Sequence, residues 1–360
     1  MGKKASPKAR PVLLLSVALA VVLLALSVGL GVGLSVRTRD RAGQQVEEKL
    51  VILDVDPGID DAIAMLMVLS QPAVRVLAVT CVRGNARDVQ QGCRNALRVL
   101  RVAGRMDISL YVGASLQLMG HDVFDHTYWS GVDGMGDVPD VNAPDYSLIN
   151  QSEHAALTLI RMSKAYPNQI TLIALGPLTN VALARRMDLD ISSRFKEIII
   201  MGGNIRGVGN MDIAAEFNFW MDPEAAQVVL REYKCPMKVV PWEVCQEHGL
   251  EWDFFSSWLT ADTPKVRFIR DITNNLTQRL QQDGMLTYMC CDPLATAVAM
   301  DNSLAQTVSN VYATVETKGE FTRAQMVVDW GRLSQKRPNI DVMQNLDMAR
   351  YKELLTEAVH

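Results

Sequence analysis

Four aspartates crowd one short stretch of this chain. Residues 51–66 read VILDVDPGIDDAIAML, and Asp54, Asp56, Asp60 and Asp61 fall within eight positions, between two apolar runs. Like charges so close repel one another, and a fold gains nothing from them alone. A hard cation held by several carboxylate oxygens would offset that repulsion. A carboxylate beside such an ion is also well placed to act as a general base toward water. Structural duties cover only part of the cluster. Asp60 and Asp61 suit the first turn of a helix, where the dipole stabilises each by roughly 0.3–1 kcal/mol. Asp54 suits a buried acceptor for backbone amides. The pattern also shares DxD with a phosphatase nucleophile motif, but Pro57-Gly58 stands where that motif carries its next defining residues.

The surrounding elements say where the cluster must lie. Apolar runs at 50–55, 74–82, 108–113, 169–175, 196–203 and 237–242 read as strands. Amphipathic stretches such as DDAIAMLMVLSQ, DVQQGCRNALRVLRVAG, EHAALTLIRMSKAY and DPEAAQVVLREY separate most of them. Strands alternating with helices indicate βαβ units, so the expected fold is α/β with a mainly parallel, Rossmann-like sheet and helices on both faces. VILDV is then a strand, Pro57-Gly58 a turn, and DDAIAMLMVL the next helix. That places the aspartates at the carboxyl edge of the sheet, where open α/β folds bind ligands. Residues 115–150 show little periodicity and read as a long loop region over that edge.

The remaining organisation concerns the termini and the environment. Residues 11–36 run 26 positions without a charge, more than the roughly 20 apolar residues a membrane-spanning helix needs. The expected layout is a basic cytoplasmic tail (1–10), a retained transmembrane signal anchor (11–36), a polar linker (37–48) and one catalytic domain (49–360). The catalytic domain is then lumenal or extracellular, with which the sequons at Asn150 and Asn275 are compatible. A net charge of −4 over 360 residues gives no electrostatic reason to expect nucleic acid as a partner. Six cysteines, two of them adjacent at Cys290 and Cys291, do not form a disulfide framework at this density.

Beyond the aspartates, five blocks occur in collinear order. They are DVDPGIDDA, a strand ending in Gly84-Asn85, ALGPLTN (174–180), MGGN followed by GNMDIAAEFNFWMDPEAA, and CDPLATAV (291–298). Together they resemble the inosine–uridine preferring nucleoside hydrolases. The resemblance implies hydrolysis of the N-glycosidic bond of ribonucleosides through an oxocarbenium-like transition state. It implies Ca2+ bound by Asp56, Asp61, the Leu175 carbonyl and Asp292, with water activated by the ion and Asp56 as general base. It further implies Asp60, Asn85, Asn210, Glu216 and Asn218 as ribose-binding groups, Asp54 as a support for the ion ligands, and a homodimer or homotetramer.

Two positions depart from the family pattern. The histidine preceding the late metal aspartate, which protonates the leaving base in well-studied members, is here Cys291. The loop SGVDGMGD (130–137) resembles the family's HGxDGxG but begins with Ser130, with His126 four residues earlier. Cys291 is therefore the expected proton donor. A relative that binds ribosides or calcium without turnover is the alternative. Tyr128, Trp129, Trp220 and Trp242 are aromatic candidates beside the matched blocks, for which packing is the more economical role.

Overall fold

Strand β1 (Lys49–Val55) shows why a sheet forms here. Its odd-numbered apolar residues Val51, Leu53 and Val55 enter one hydrophobic cluster, while Leu50 and Ile52 enter a second cluster on the opposite face. This period of two, apolar on both sides, is the mark of a central strand covered by helices on each face. The computed structural model describes residues 37–39, 45–120, 122 and 129–360.

Eight of the nine strands in the main sheet run parallel. After β1 come α1 (Ile59–Leu69), β2 (Val74–Cys81), α2 (Val89–Val102), β3 (Leu110–Val112) and β4 (Ile149–Asn150). Then follow α3 (Ala155–Ala165), β5 (Ile170–Ala174), α4 (Thr179–Met187), β6 (Glu197–Met201), α5 (Phe217–Met221), α6 (Pro223–Glu232), β7 (Met237–Val240) and α7 (Trp242–Glu247). The C-terminal part adds α8 (Pro264–Gln282), α9 (Cys291–Met300), β8 (Ala305–Val311), β9 (Ile340–Leu346) and α10 (Met348–Val359). The spatial order is β8-β9-β7-β6-β5-β1-β2-β3-β4. The chain leaves β1 through β2 toward one edge and returns on its other side at β5. The carboxyl ends of β1 and β5 therefore flank a topological switch point, the crevice in which such sheets take their ligands.

The expected α/β class, the six strands and the four helices all occur, with ends shifted by a few residues. Of the expected loop region 115–150, residues 115–145 carry no regular helix or strand where described, but its end forms a 3-10 turn (Tyr146–Leu148) and β4. Two features differ. The expected linker includes a short antiparallel pair, Arg37–Arg39 with Gln45–Glu47. The sheet also gains β8 and β9, whose partly polar sequences hide a strand at the edge, β8 being the one antiparallel member. The membrane placement is corrected: among the described residues no helix is long and apolar enough to cross a membrane. The stretch 11–36, on which that expectation rested, lies outside the described residues.

Candidate active site

The loop from β1 into α1 carries the acidic cluster. Asp61 lies at the third position of α1, and its Oδ2 accepts the backbone N–H of Gly58, the residue capping that helix, at 2.9 Å. Its Oδ1 accepts the Asp56 N–H at 3.2 Å. The acid thus closes the turn while remaining in the site. Asp54, still on the strand, accepts the Thr80 hydroxyl at 2.5 Å and the Asn180 amide at 2.8 Å on one oxygen. Asn180 also donates to the Cys81 carbonyl and accepts the Ala114 N–H, so it ties β1, β2 and the following loop together. Burial raises the Asp54 pKa to about 6 against these two donors.

Asp56 is held from one side by Asn85, whose backbone N–H and Nδ2 reach its Oδ2 at 2.9 and 3.1 Å. Its Oδ1 is buried and has no hydrogen-bond partner among the described residues. Glycines make room for it. A Cβ on Gly84 would stand 1.9 Å from Oδ2, and one on Gly176 2.5 Å from Oδ1. Burial and then the neighbouring Asp61 push the Asp56 carboxyl up; burial and Asp60 raise Asp61 to about 7. Asp292, in the first turn of α9, is raised by burial and by Asp60, Asp61 and Asp56 in turn.

Asp60, Asp61 and Asp292 each bring a carboxylate oxygen within 4.8 Å of the others. The cluster thus has the chemistry of a cation site: buried, oxygen-only, mutually repelling, with one orphaned oxygen on Asp56 beside it. The geometric trio includes Asp60, which the family resemblance gives to the sugar. The Leu175 carbonyl, which that resemblance gives to the ion, here accepts the Asn218 Nδ2 at 2.6 Å.

A cavity of about 390 Å³ opens over this cluster, and Asp56, Asp60, Asn85, Leu175, Asn210, Glu216, Asn218, Cys291 and Asp292 all line it. The structure therefore brings together the site residues read from the sequence, with Asp61 and Asp54 directly behind. Glu216 has a second duty that its sequence context did not reveal. It caps α5, accepting the N–H groups of Gly203, Asn218 and Phe219 at 2.7, 2.9 and 3.1 Å. Burial lifts its pKa to about 7 despite these bonds.

The cavity walls also include apolar residues, Trp129, Met211, Phe217, Trp242, Met285 and Met289. Trp129 and Trp242 thus belong to the site. Trp220 lines a separate cleft, and Tyr128 and His126 lie outside the described residues. Ser130 is buried, with its hydroxyl 3.4 Å from Asn85 Oδ1. Among the described histidines none lines the cavity. His248 is bonded to Val244, Asn345 and Leu346, and His154 caps α3. Of the two sequon asparagines, Asn275 lies inside α8 with its amide donating to the Gly136 carbonyl, and Asn150 accepts from Ser152. The methionines and Phe217 escaped the sequence reading because apolar residues at helical or loop positions read equally well as core.

A cavity lined by carboxylates and amides over an acidic cluster, at the switch point of a parallel sheet, defines a small-molecule site. Residues 51–353 match the inosine-uridine preferring nucleoside hydrolases, and the chain belongs to this family of ribonucleoside hydrolases. A pyrimidine-specific ribonucleoside hydrolase RihA of Salmonella arizonae is 32% identical over 319 residues, spanning 85% of this chain and 97% of its own. A solved inosine-guanosine nucleoside hydrolase shares 32% identity at a TM-score of 0.80, covering 87% of this chain and 99% of its own. The purine-preferring ribonucleoside hydrolase of Gardnerella vaginalis shares 27% at 0.78, covering 86% and 98%.

Proposed function

We propose that this enzyme cleaves the N-glycosidic bond of ribonucleosides with Ca2+ held by Asp56, Asp61, Asp292 and the Leu175 carbonyl. The observation that carries the reading is the unpartnered, buried Oδ1 of Asp56 at the floor of the cavity, beside three further carboxylates. When bound, the cation neutralises the cluster and polarises an attacking water. Asp56 takes the proton of that water as general base. Asp60, Asn85, Asn210, Glu216 and Asn218 hold the ribose hydroxyls, each offering directional donors or acceptors. Asp54 steadies the ion ligands from behind, itself fixed by Thr80 and Asn180.

The nucleobase lies against Trp129 and Trp242, whose flat faces stack on purines and pyrimidines alike. That accommodates relatives named for opposite base preferences. Cys291 lines the same cavity and donates the proton to the departing base. Assembly as a homodimer or homotetramer belongs to the same reading, on the resemblance to the family.

The test is a reducing-sugar assay over purine and pyrimidine ribonucleosides, with and without a calcium chelator. Free ribose is released, and the release stops in chelator and returns with added Ca2+. Nucleoside binding by calorimetry with no sugar released over hours supports the non-hydrolysing alternative instead.

A further inference from the structure

Glu243 is buried in the first turn of α7, and its carboxylate serves backbone alone. Both oxygens accept the Ile205 N–H at 2.9 Å, and Oε1 accepts the Arg206 N–H at 2.6 Å. A buried carboxylate is a costly way to fill space, and an apolar side chain of that size packs more cheaply. What a carboxylate does that an apolar group cannot is grip two consecutive amides and fix the chain direction there.

Those amides begin the segment that carries Asn210 and ends at Glu216. The segment is internally braced. Asn204 Nδ2 donates to the carbonyls of Val208 and Ala214 at 3.0 and 2.7 Å, Asn210 N–H reaches the Ala215 carbonyl at 3.0 Å, and Asp212 bridges Ala215. It is therefore braced as a unit, and Glu243 grips its start at 205–206. The same short helix places Trp242 and Gln246 on the cavity wall, and the Trp242 N–H bonds the Gly203 carbonyl at 2.9 Å.

We propose that Glu243 is a positioning residue that locks the sugar-binding segment 204–216 to the nucleobase wall on α7, and so sets affinity for the whole nucleoside. The proposal rests on the reading of Asn210 and Glu216 as sugar-binding groups. In the full chain, Glu243→Gln keeps the shape but removes the charge and replaces one of the two acceptor oxygens with an amide donor facing the Ile205 N–H. KM for a nucleoside then rises about tenfold or more while kcat falls far less, because loss of a charge-assisted grip loosens binding groups and leaves the base catalyst in place. The calcium requirement is unchanged, and the amides of Ile205 and Arg206 exchange with solvent faster. Glu243→Asp, which draws the carboxylate back by one methylene, shows the same split if the amide variant does not fold. Unchanged KM with unchanged amide protection overturns the proposal. So does a loss of kcat and thermal stability at constant KM, the signature of a merely structural acid. If the wild-type chain releases no sugar, the functional reading fails instead, and hydrogen exchange at 205–206 still decides whether Glu243 holds the segment.

Discussion

The two glycines around Asp56 allow a test of its placement that leaves its chemistry intact. Gly176 lies outside the left-handed region, so alanine fits its backbone without strain. The added Cβ of Gly176→Ala, however, stands 2.5 Å from Asp56 Oδ1 and 2.8 Å from Val82 Cγ1. To restore ordinary contact at 3.4 Å the carboxylate must retreat about 0.9 Å. Its way back is closed by Gly84, against which Oδ2 already rests, and by the two bonds from Asn85. Breaking both bonds costs about 1.5–3 kcal/mol each, whereas a shared shift of Asp56 and strand ends costs about 1–3 kcal/mol in all. The shared shift wins, so the variant folds but carries a displaced base. A misplacement of about 1 Å in a catalytic group lowers the rate about 100-fold, equivalent to about 2.7 kcal/mol of barrier. Initial rates of ribose release, with a thermal melt of the same samples, read both quantities. A kcat equal to wild type in folded Gly176→Ala refutes the claim that Asp56 must sit where it does.

Two further perturbations separate chemistry from stability. Asp56→Asn keeps the Asn85 contacts but removes the proton acceptor. Ribose release falls by about 10²–10⁴-fold with secondary structure unchanged by circular dichroism, and retained turnover contradicts the base role. Away from the site, burial works against ionisation of Asp188, but bonds from Lys164 at 2.9 Å and Arg194 at 2.6 Å outweigh it and hold its carboxyl down at about 2. A depressed acid stabilises the fold fully above its unfolded pKa of about 4 and loses that contribution as pH falls toward 2. Urea midpoints of the wild type and Asp188→Asn therefore converge between pH 5 and pH 2.5, and a gap constant across that range counts against the ion-paired acid.

Much of this site was legible because its chemistry sits at strand ends. Strand-turn-helix grammar alone places Asp54, Asp56, Asp60 and Asp61, since the apolar run of β1 and the helix after Pro57-Gly58 leave the carboxylates one place to go. The partners that hold them were not legible. Asn180 lies 126 positions from Asp54, and nothing in its local sequence announces that it spans three segments. Glu216 was visible as a polar residue in a recognisable block, but its bonds to three amides depend on how α5 starts. The edge strand β8 was hidden for a different reason. Its exposed residues are mostly polar, so its sequence shows no apolar run.

The two departures from the family pattern resolve differently in the structure. Ser130 lies beside Asn85, its hydroxyl near the side-chain oxygen of the residue that grips Asp56. Cys291 faces the cavity itself, one residue before Asp292 on the same helix turn. The described histidines do not enter the cavity in their place: His248 has both ring nitrogens committed to α7 and β9. On the proposed reading, the clustered carboxylates lie by the ribose, where positive charge develops in the transition state. The lining also holds apolar and aromatic residues such as Trp129, Trp242 and Met285. Residues of these types read as core packing in a sequence, so only the fold shows that they line the site. On the proposed reading, the departing base meets a stacking surface and the Cys291 thiol, so leaving-group activation works with less polar help than sugar binding does.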